Sequence, residues 1–322
     1  DTYTKAGNLA AGADPQYVAL VVYMPQTVGN EANYRGDAVP TIDLGINLAA
    51  AQDTVESDSF DNTYDENADG ALLFDGGTTT INQNVTVLNP DGPAVTATGD
   101  GTVVNIPGGR YDGGAGGNNA CVWACPGATV NISDGTFTVG ADASGAGNSV
   151  IYSTGGTVNI SGGFFYTDYS WNNHYYVLNL QNGSGGKISV TGGTFVNMDP
   201  SNGDDHDGGT FVEDGYTVVS QTRPNGDVWY TVVKDVQNAA DFAGLETVSG
   251  DSILSQDITL NITGYASSLE VENTLNLDLN GKTVTFASTN NSNIFYALGV
   301  NGGNLTIDGD GIVDATADES FY

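Results

Sequence analysis

The sequence predicts an all-β fold: a right-handed parallel β-helix, or solenoid, preceded by an N-terminal β-strand segment. The first of three supporting observations is a repeat. Val104-Asn-Ile-Pro-Gly-Gly-Arg-Tyr returns as Val130-Asn-Ile-Ser-Asp-Gly-Thr-Phe and as Val158-Asn-Ile-Ser-Gly-Gly-Phe-Phe. A looser copy is Ile188-Ser-Val-Thr-Gly-Gly-Thr-Phe. Aligning Ile106, Ile132, Ile160 and Val190 gives offsets of 26, 28 and 30 residues, a period typical of stacked coils. The second observation is 45 glycines in 322 residues beside 39% hydrophobic residues in short runs, which requires many tight turns. Third, no helical periodicity interrupts residues 78–200, which argues against a βαβ fold.

Taken in order, residues 1–58 do not repeat. Tyr17-Val-Ala-Leu-Val-Val-Tyr-Met reads as a strand buried on both faces and Thr41-Ile-Asp-Leu-Gly-Ile-Asn-Leu as a second strand. Two strands with few partners make an incomplete sheet. Residues 59–77 read as an acidic linker. Residues 78–208 form the first β-helix stack, in which each repeat alternates with a second short strand: Ala94-Val-Thr-Ala-Thr, Cys121-Val-Trp-Ala, Val150-Ile-Tyr-Ser and Tyr176-Val-Leu-Asn-Leu. Stacked in parallel, inward Val and Ile meet like residues one coil away, and outward Asn, Ser and Thr form polar ladders. Residues 209–234, with an Asn225-Gly turn, read as a capping hairpin. Residues 235–322 read as a helix over 236–245, N-capped by Asp235, and a second β-helix segment. That segment is expected either to continue in a longer protein or to meet another protomer.

Charge limits the partners. The chain has 39 acidic and 7 basic residues, a formal net charge of -32. Phosphate binding needs the Lys and Arg that are scarce here, so nucleic acid and anionic membrane surfaces are excluded as expected partners. No run of about 18 apolar residues predicts membrane insertion. Cations, Ca²⁺ foremost, are the expected small partners of such a surface. The bland alternative is that acidity serves solubility alone.

Val-Tyr-Met-Pro at 22–25, Val-Gly-Asn-Glu-Ala-Asn-Tyr at 28–34, the 41–48 strand and the Glu-Ser-Asp-Ser-Phe ending resemble the last strands of a camelysin/TasA-like domain. That resemblance covers about 45 residues and implies a secreted Gram-positive matrix protein with a dedicated signal-peptidase-type leader. It also implies homo-oligomers or polymers joined by strand donation. On that reading the assembly residues are Tyr17, Val18, Leu20, Val22, Tyr23, Ile42, Leu44, Ile46 and Leu48. The remainder resembles the pectate-lyase-like β-helix repeats of bacterial surface proteins, in fold type rather than as a specific enzyme.

Candidate sites are few. Asp65, Asn67 and Asp69, followed by Gly70, match the first half of a Ca²⁺ loop; the twelfth position is Gly76, with Asp75 one place early. Asp204, Asp205 and Asp207 surround His206 and offer oxygen ligands on a loop. Tyr166, Tyr169, Trp171, Tyr175 and Tyr176 form the densest aromatic stretch, suited either to stacking on sugar rings or to packing and subunit contact. Cys121 and Cys125 are either a disulfide, if the chain turns between them, or small buried hydrophobes.

No catalytic set is apparent. A lyase needs a Lys or Arg beside clustered acids, whereas Arg110 and Lys187 sit beside turn glycines without a neighbouring acid cluster. No organic cofactor is expected. The function expected from sequence is a non-enzymatic, secreted structural or surface protein that self-assembles into an extracellular filament or matrix. A carbohydrate-binding adhesin is the alternative, and a polysaccharide lyase or hydrolase the third reading.

Overall fold

The computed structural model describes residues 72–114, 120–140, 149–168, 170, 174–202, 209–262, 269–288 and 297–317. These build a β-solenoid of about eight turns, nearly all-β in class with one short α-helix among the described residues. The first strands are β1 (Leu72–Asp75), β2 (Thr78–Thr80), β3 (Thr86–Leu88) and β4 (Val95–Thr98). Then long and short strands alternate: β5 (Val103–Gly113), β6 (Ala120–Ala124), β7 (Thr129–Val139), β8 (Ser149–Ser153), β9 (Thr157–Thr167), β10 (Leu178–Leu180) and β11 (Lys187–Val196). The antiparallel pair β12 (Tyr216–Thr222) and β13 (Val228–Val236) leads to a short helix, α1 (Ala239–Gly244). Beyond it come β14 (Gly250–Leu254), β15 (Ile258–Ile262), β16 (Leu269–Val271), β17 (Thr274–Asp278), β18 (Thr283–Ser288), β19 (Leu298–Val300), β20 (Asn304–Asp308) and β21 (Ile312–Ala317).

The short strands stack as one parallel sheet, β1-β4-β6-β8-β10. The long strands form another, β2-β5-β7-β9-β11-β13-β14-β17-β20, to which β3 and β12 attach at its side. Ile106 pairs with Ile132, Ile132 with Ile160, and Ile160 with Val190, so the repeat spacing is the physical register. Alternation along each strand points Val104, Val130 and Val158 inward to complete burial and leaves Asn105, Asn131 and Asn159 at the surface side. The amides bond down the stack, Asn131 Nδ2 to Asn105 Oδ1 at 2.9 Å and Asn159 Nδ2 to Asn131 Oδ1 at 2.8 Å.

The aromatic that ends each repeat also turns inward. Tyr111, Phe137, Phe165 and Phe195 are fully buried and form a ring stack, with centroids 5.0, 4.9 and 4.9 Å apart and planes within 9°. Between Ile and aromatic the strand bends at a glycine with positive φ: Gly109, Gly135, Gly163 and Gly193. A Cβ on Gly163 would press 3.1 Å from the Phe165 ring and 3.3 Å from the Gly135 carbonyl, so this corner admits no side chain without displacement.

Two apolar cores result. The first runs from Ile81 to Val232 and includes the ring stack; the second begins at Val236 and gathers Phe242, Leu245, Leu275, Leu277 and Phe286. The helix is shorter than expected and starts later. Its N-cap is Asn238, whose side chain accepts from the amides of Ala240 and Asp241, because Val236 is still in β13. Asp235 instead accepts from Gln237 Nε2 at 2.6 Å and from the Ser255 hydroxyl. The expected acidic linker also holds an unforeseen strand, since Leu72–Asp75 pairs in register with Val95–Thr98. No helix among the described residues is long and apolar enough to cross a membrane.

Candidate functional site

A groove of about 740 Å³ lies where β9, the end of β11 and the β12–β13 turn meet. Strand alternation builds its wall. Because Phe165 points into the core, its neighbours Phe164 and Tyr166 point out, their rings 5.7 Å apart and tilted by 46°. Tyr175, just before β10, faces the same space. The hairpin supplies the opposite side. β13 runs antiparallel to β11, setting Trp229 opposite Val196 and so beside Phe164, with ring centroids 4.8 Å apart in a T-shaped contact.

The hairpin turn is held by its own backbone, Arg223 N donating to Asp227 O at 2.7 Å and Gly226 N to Arg223 O at 2.9 Å. Asn197, left-handed at φ 59°, ties that turn to β11. Its Nδ2 donates to Asp227 Oδ1 and its Oδ1 accepts from Val228 N, both at 2.8 Å. Asn225 Nδ2 donates to the other Asp227 oxygen at 2.5 Å. The Asp227 carboxylate is thereby occupied within the turn. The Arg223 guanidinium carbon lies 3.7 Å from the Trp229 ring centroid, and its Nε is buried without a hydrogen-bond partner. Asp168, exposed, completes the polar lining.

Of the aromatics expected from sequence, Tyr166 and Tyr175 share this groove. Tyr176 does not line it; it is half-buried and its carbonyl accepts from Val150 N. Tyr169 and Trp171 lie outside the described residues, as do Asp65, Asn67, Asp69, Asp204, Asp205, Asp207 and all the assembly residues between Tyr17 and Leu48. Asp75 is exposed at the end of β1 opposite Thr98. Among the described residues no cluster of three His, Cys, Asp or Glu side chains is placed to hold a metal ion.

The Cys121–Cys125 bridge is corrected. Both thiols are free, Cys121 within the extended strand β6 and Cys125 just after its end. Four residues of extended chain separate the two Cα atoms by about 13 Å, well beyond disulfide reach. Burial pushes the Cys121 thiol above its ordinary range.

Lys187 has one acid neighbour in space, Glu213, which is not an acid cluster. The segment after β11 returns beside that lysine through the Val190–Val212 bridge, bringing Glu213 to 2.7 Å from Lys187 Nζ. The Lys187 hydrogen bond holds the Glu213 carboxyl below its usual range. This pair borders a second, smaller concavity along the Asn105, Asn131 and Asn159 ladder. It joins one lysine to one carboxylate, both well exposed.

Sequence reasoning missed Trp229, Arg223 and Asn197, since the hairpin read as a cap. The usable signal was the Asn225-Gly turn, which places residues 223 and 229 on flanking arms facing the stack. Compared with protein-family models, curated proteins and solved structures, the chain matches none.

Proposed function

We propose that this protein is a non-enzymatic, surface-displayed carbohydrate-binding protein, with the β-solenoid as a rigid scaffold and the β9–β13 groove as its glycan site. The observation that carries this reading is the convergence of Tyr166 and Tyr175, beside Phe164 and Trp229, with the polar groups of Asn197, Asn225 and Asp168 in one concave surface. A pyranose has an apolar C–H face and a rim of hydroxyls. Aromatic side chains match the first, and amides and carboxylates match the second. Several of these groups stand on paired strands, so the geometry is set before a ligand arrives.

Isothermal titration calorimetry against a panel of neutral and acidic oligosaccharides tests this. Tyr166→Ala and Tyr175→Ala should each weaken the best ligand about 3- to 10-fold, the value of one aromatic contact. Wild-type protein that binds no glycan in the panel, or tyrosine variants that bind as tightly as wild type, would reject the reading.

A further inference from the structure

We infer that the groove selects a glycan bearing an isolated carboxylate, a single hexuronic acid within an otherwise neutral chain, with Arg223 as its specificity-determining residue. This rests on the glycan-binding reading above. Acids outnumber basic residues 39 to 7 in this chain, yet among the described residues the one ion pair is Lys187–Glu213. Among the described residues Arg223 makes no ion pair, although Asp227 lines the same groove and accepts from Asn197 and Asn225.

Trp229 is the support of this arrangement rather than a sugar platform. The guanidinium lies over its ring at 3.7 Å, which fixes the guanidinium position and covers the ring surface a sugar would use. Sugar stacking then falls to Tyr166 and Tyr175. Stacking covers the face of a guanidinium but not its N–H edge; Nε is closed to solvent, so the terminal N–H groups are those Arg223 offers as it lines the groove. A carboxylate matches this edge with two parallel charge-assisted bonds, and a hydroxyl does not. The rest of the chain limits how much anion is tolerated. With a net charge of -32 and both Asp168 and Asp227 lining the groove, every carboxylate of a dense polyuronate is opposed, whereas a single carboxylate bonded to Arg223 has that opposition offset.

The test uses matched probes in calorimetry. One pair is a xylo-oligosaccharide without and with a single glucuronic acid branch; another is a cello-oligosaccharide without and with one C6-oxidised unit; an oligogalacturonate is the dense polyanion. In at least one pair the uronylated member should bind about 10- to 100-fold tighter than its neutral counterpart, the range for a charge-assisted hydrogen bond. Oligogalacturonate should bind more weakly than that member. Arg223→Gln should bring the two members of the pair within about 2-fold by weakening only the acidic one. Arg223→Lys, which keeps charge but not the fork, should fall between. Circular dichroism of both variants controls for folding. Equal wild-type affinity within every pair, or an acid preference that survives Arg223→Gln, overturns the inference and leaves the glycan-binding reading standing. Absence of binding to neutral and acidic probes alike overturns both.

Discussion

Replacing Phe165 by leucine should destabilise the protein about twice as much, beyond the shared cost of the smaller side chain, as the same change at Phe195. Both side chains are fully buried, so the loss of apolar area and the residual cavity are similar at the two sites. They differ in ring partners. Phe165 stacks on Phe137 at 4.9 Å and 9° and on Phe195 at 4.9 Å and 8°, whereas Phe195 has Phe165 alone among the described rings. Each stacked pair contributes about 0.5–1.5 kcal/mol beyond burial. Phe165→Leu therefore removes two such contributions, about 1–3 kcal/mol, and Phe195→Leu removes one, about 0.5–1.5 kcal/mol. Urea unfolding followed by circular dichroism measures the difference, with unchanged m-values required for the comparison. The double variant supplies a coupling energy, expected at about 0.5–1.5 kcal/mol for the shared pair. Equal losses at both positions with zero coupling would show that the ladder contributes burial and no ring geometry.

Two further expectations follow from the same core. Ellman's reagent should titrate one thiol in the native protein, the half-buried Cys125, and two in denaturant, with an intact mass showing no disulfide; two fast native thiols would contradict the burial of Cys121. Tyr111 is pushed by burial from 10.0 up to about 12, so the unfolded chain loses that proton first. Its contribution is complete below pH 10 and is lost as the pH rises towards 12. Tyr111→Phe should flatten this alkaline loss of stability, at the expense of the bond its hydroxyl donates to Gly108 O at 3.0 Å. A wild-type melting temperature that is level across that pH window would refute the assignment.

The solenoid was legible because its signal is translational. Ile106, Ile132, Ile160 and Val190 align by sequence offset and stack in space for one reason, that coil n is the surface on which coil n+1 packs. The groove was legible by half. Tyr166 stands out beside Phe164 and Phe165, but Trp229 reaches Phe164 only through three antiparallel pairs between β11 and β13, and no local pattern encodes that docking. Glu213 meets Lys187 for a similar reason, since Val212 bridges to Val190 from a non-repeating segment. Leu72–Asp75 escaped notice because its strand character depends on Val95–Thr98 rather than on its own acidic surroundings. Asn238 took the cap from Asp235 because β13 continues to Val236 before the chain turns.

The polarity reversal at β11–β13 bears on how this molecule would carry load. Pairing there is limited to Thr194 with Thr231, Phe195 with Tyr230, and Val196 with Trp229, and the hydrophobic interior divides close by, between Val232 and Val236. Tension applied from the β20 side should therefore peel β20, β17 and β14 in turn, opening the second core first. The seven-pair β12–β13 hairpin then stands as a brake before the tyrosine-lined groove. Pulled from that end, the second core is expected to open before the first.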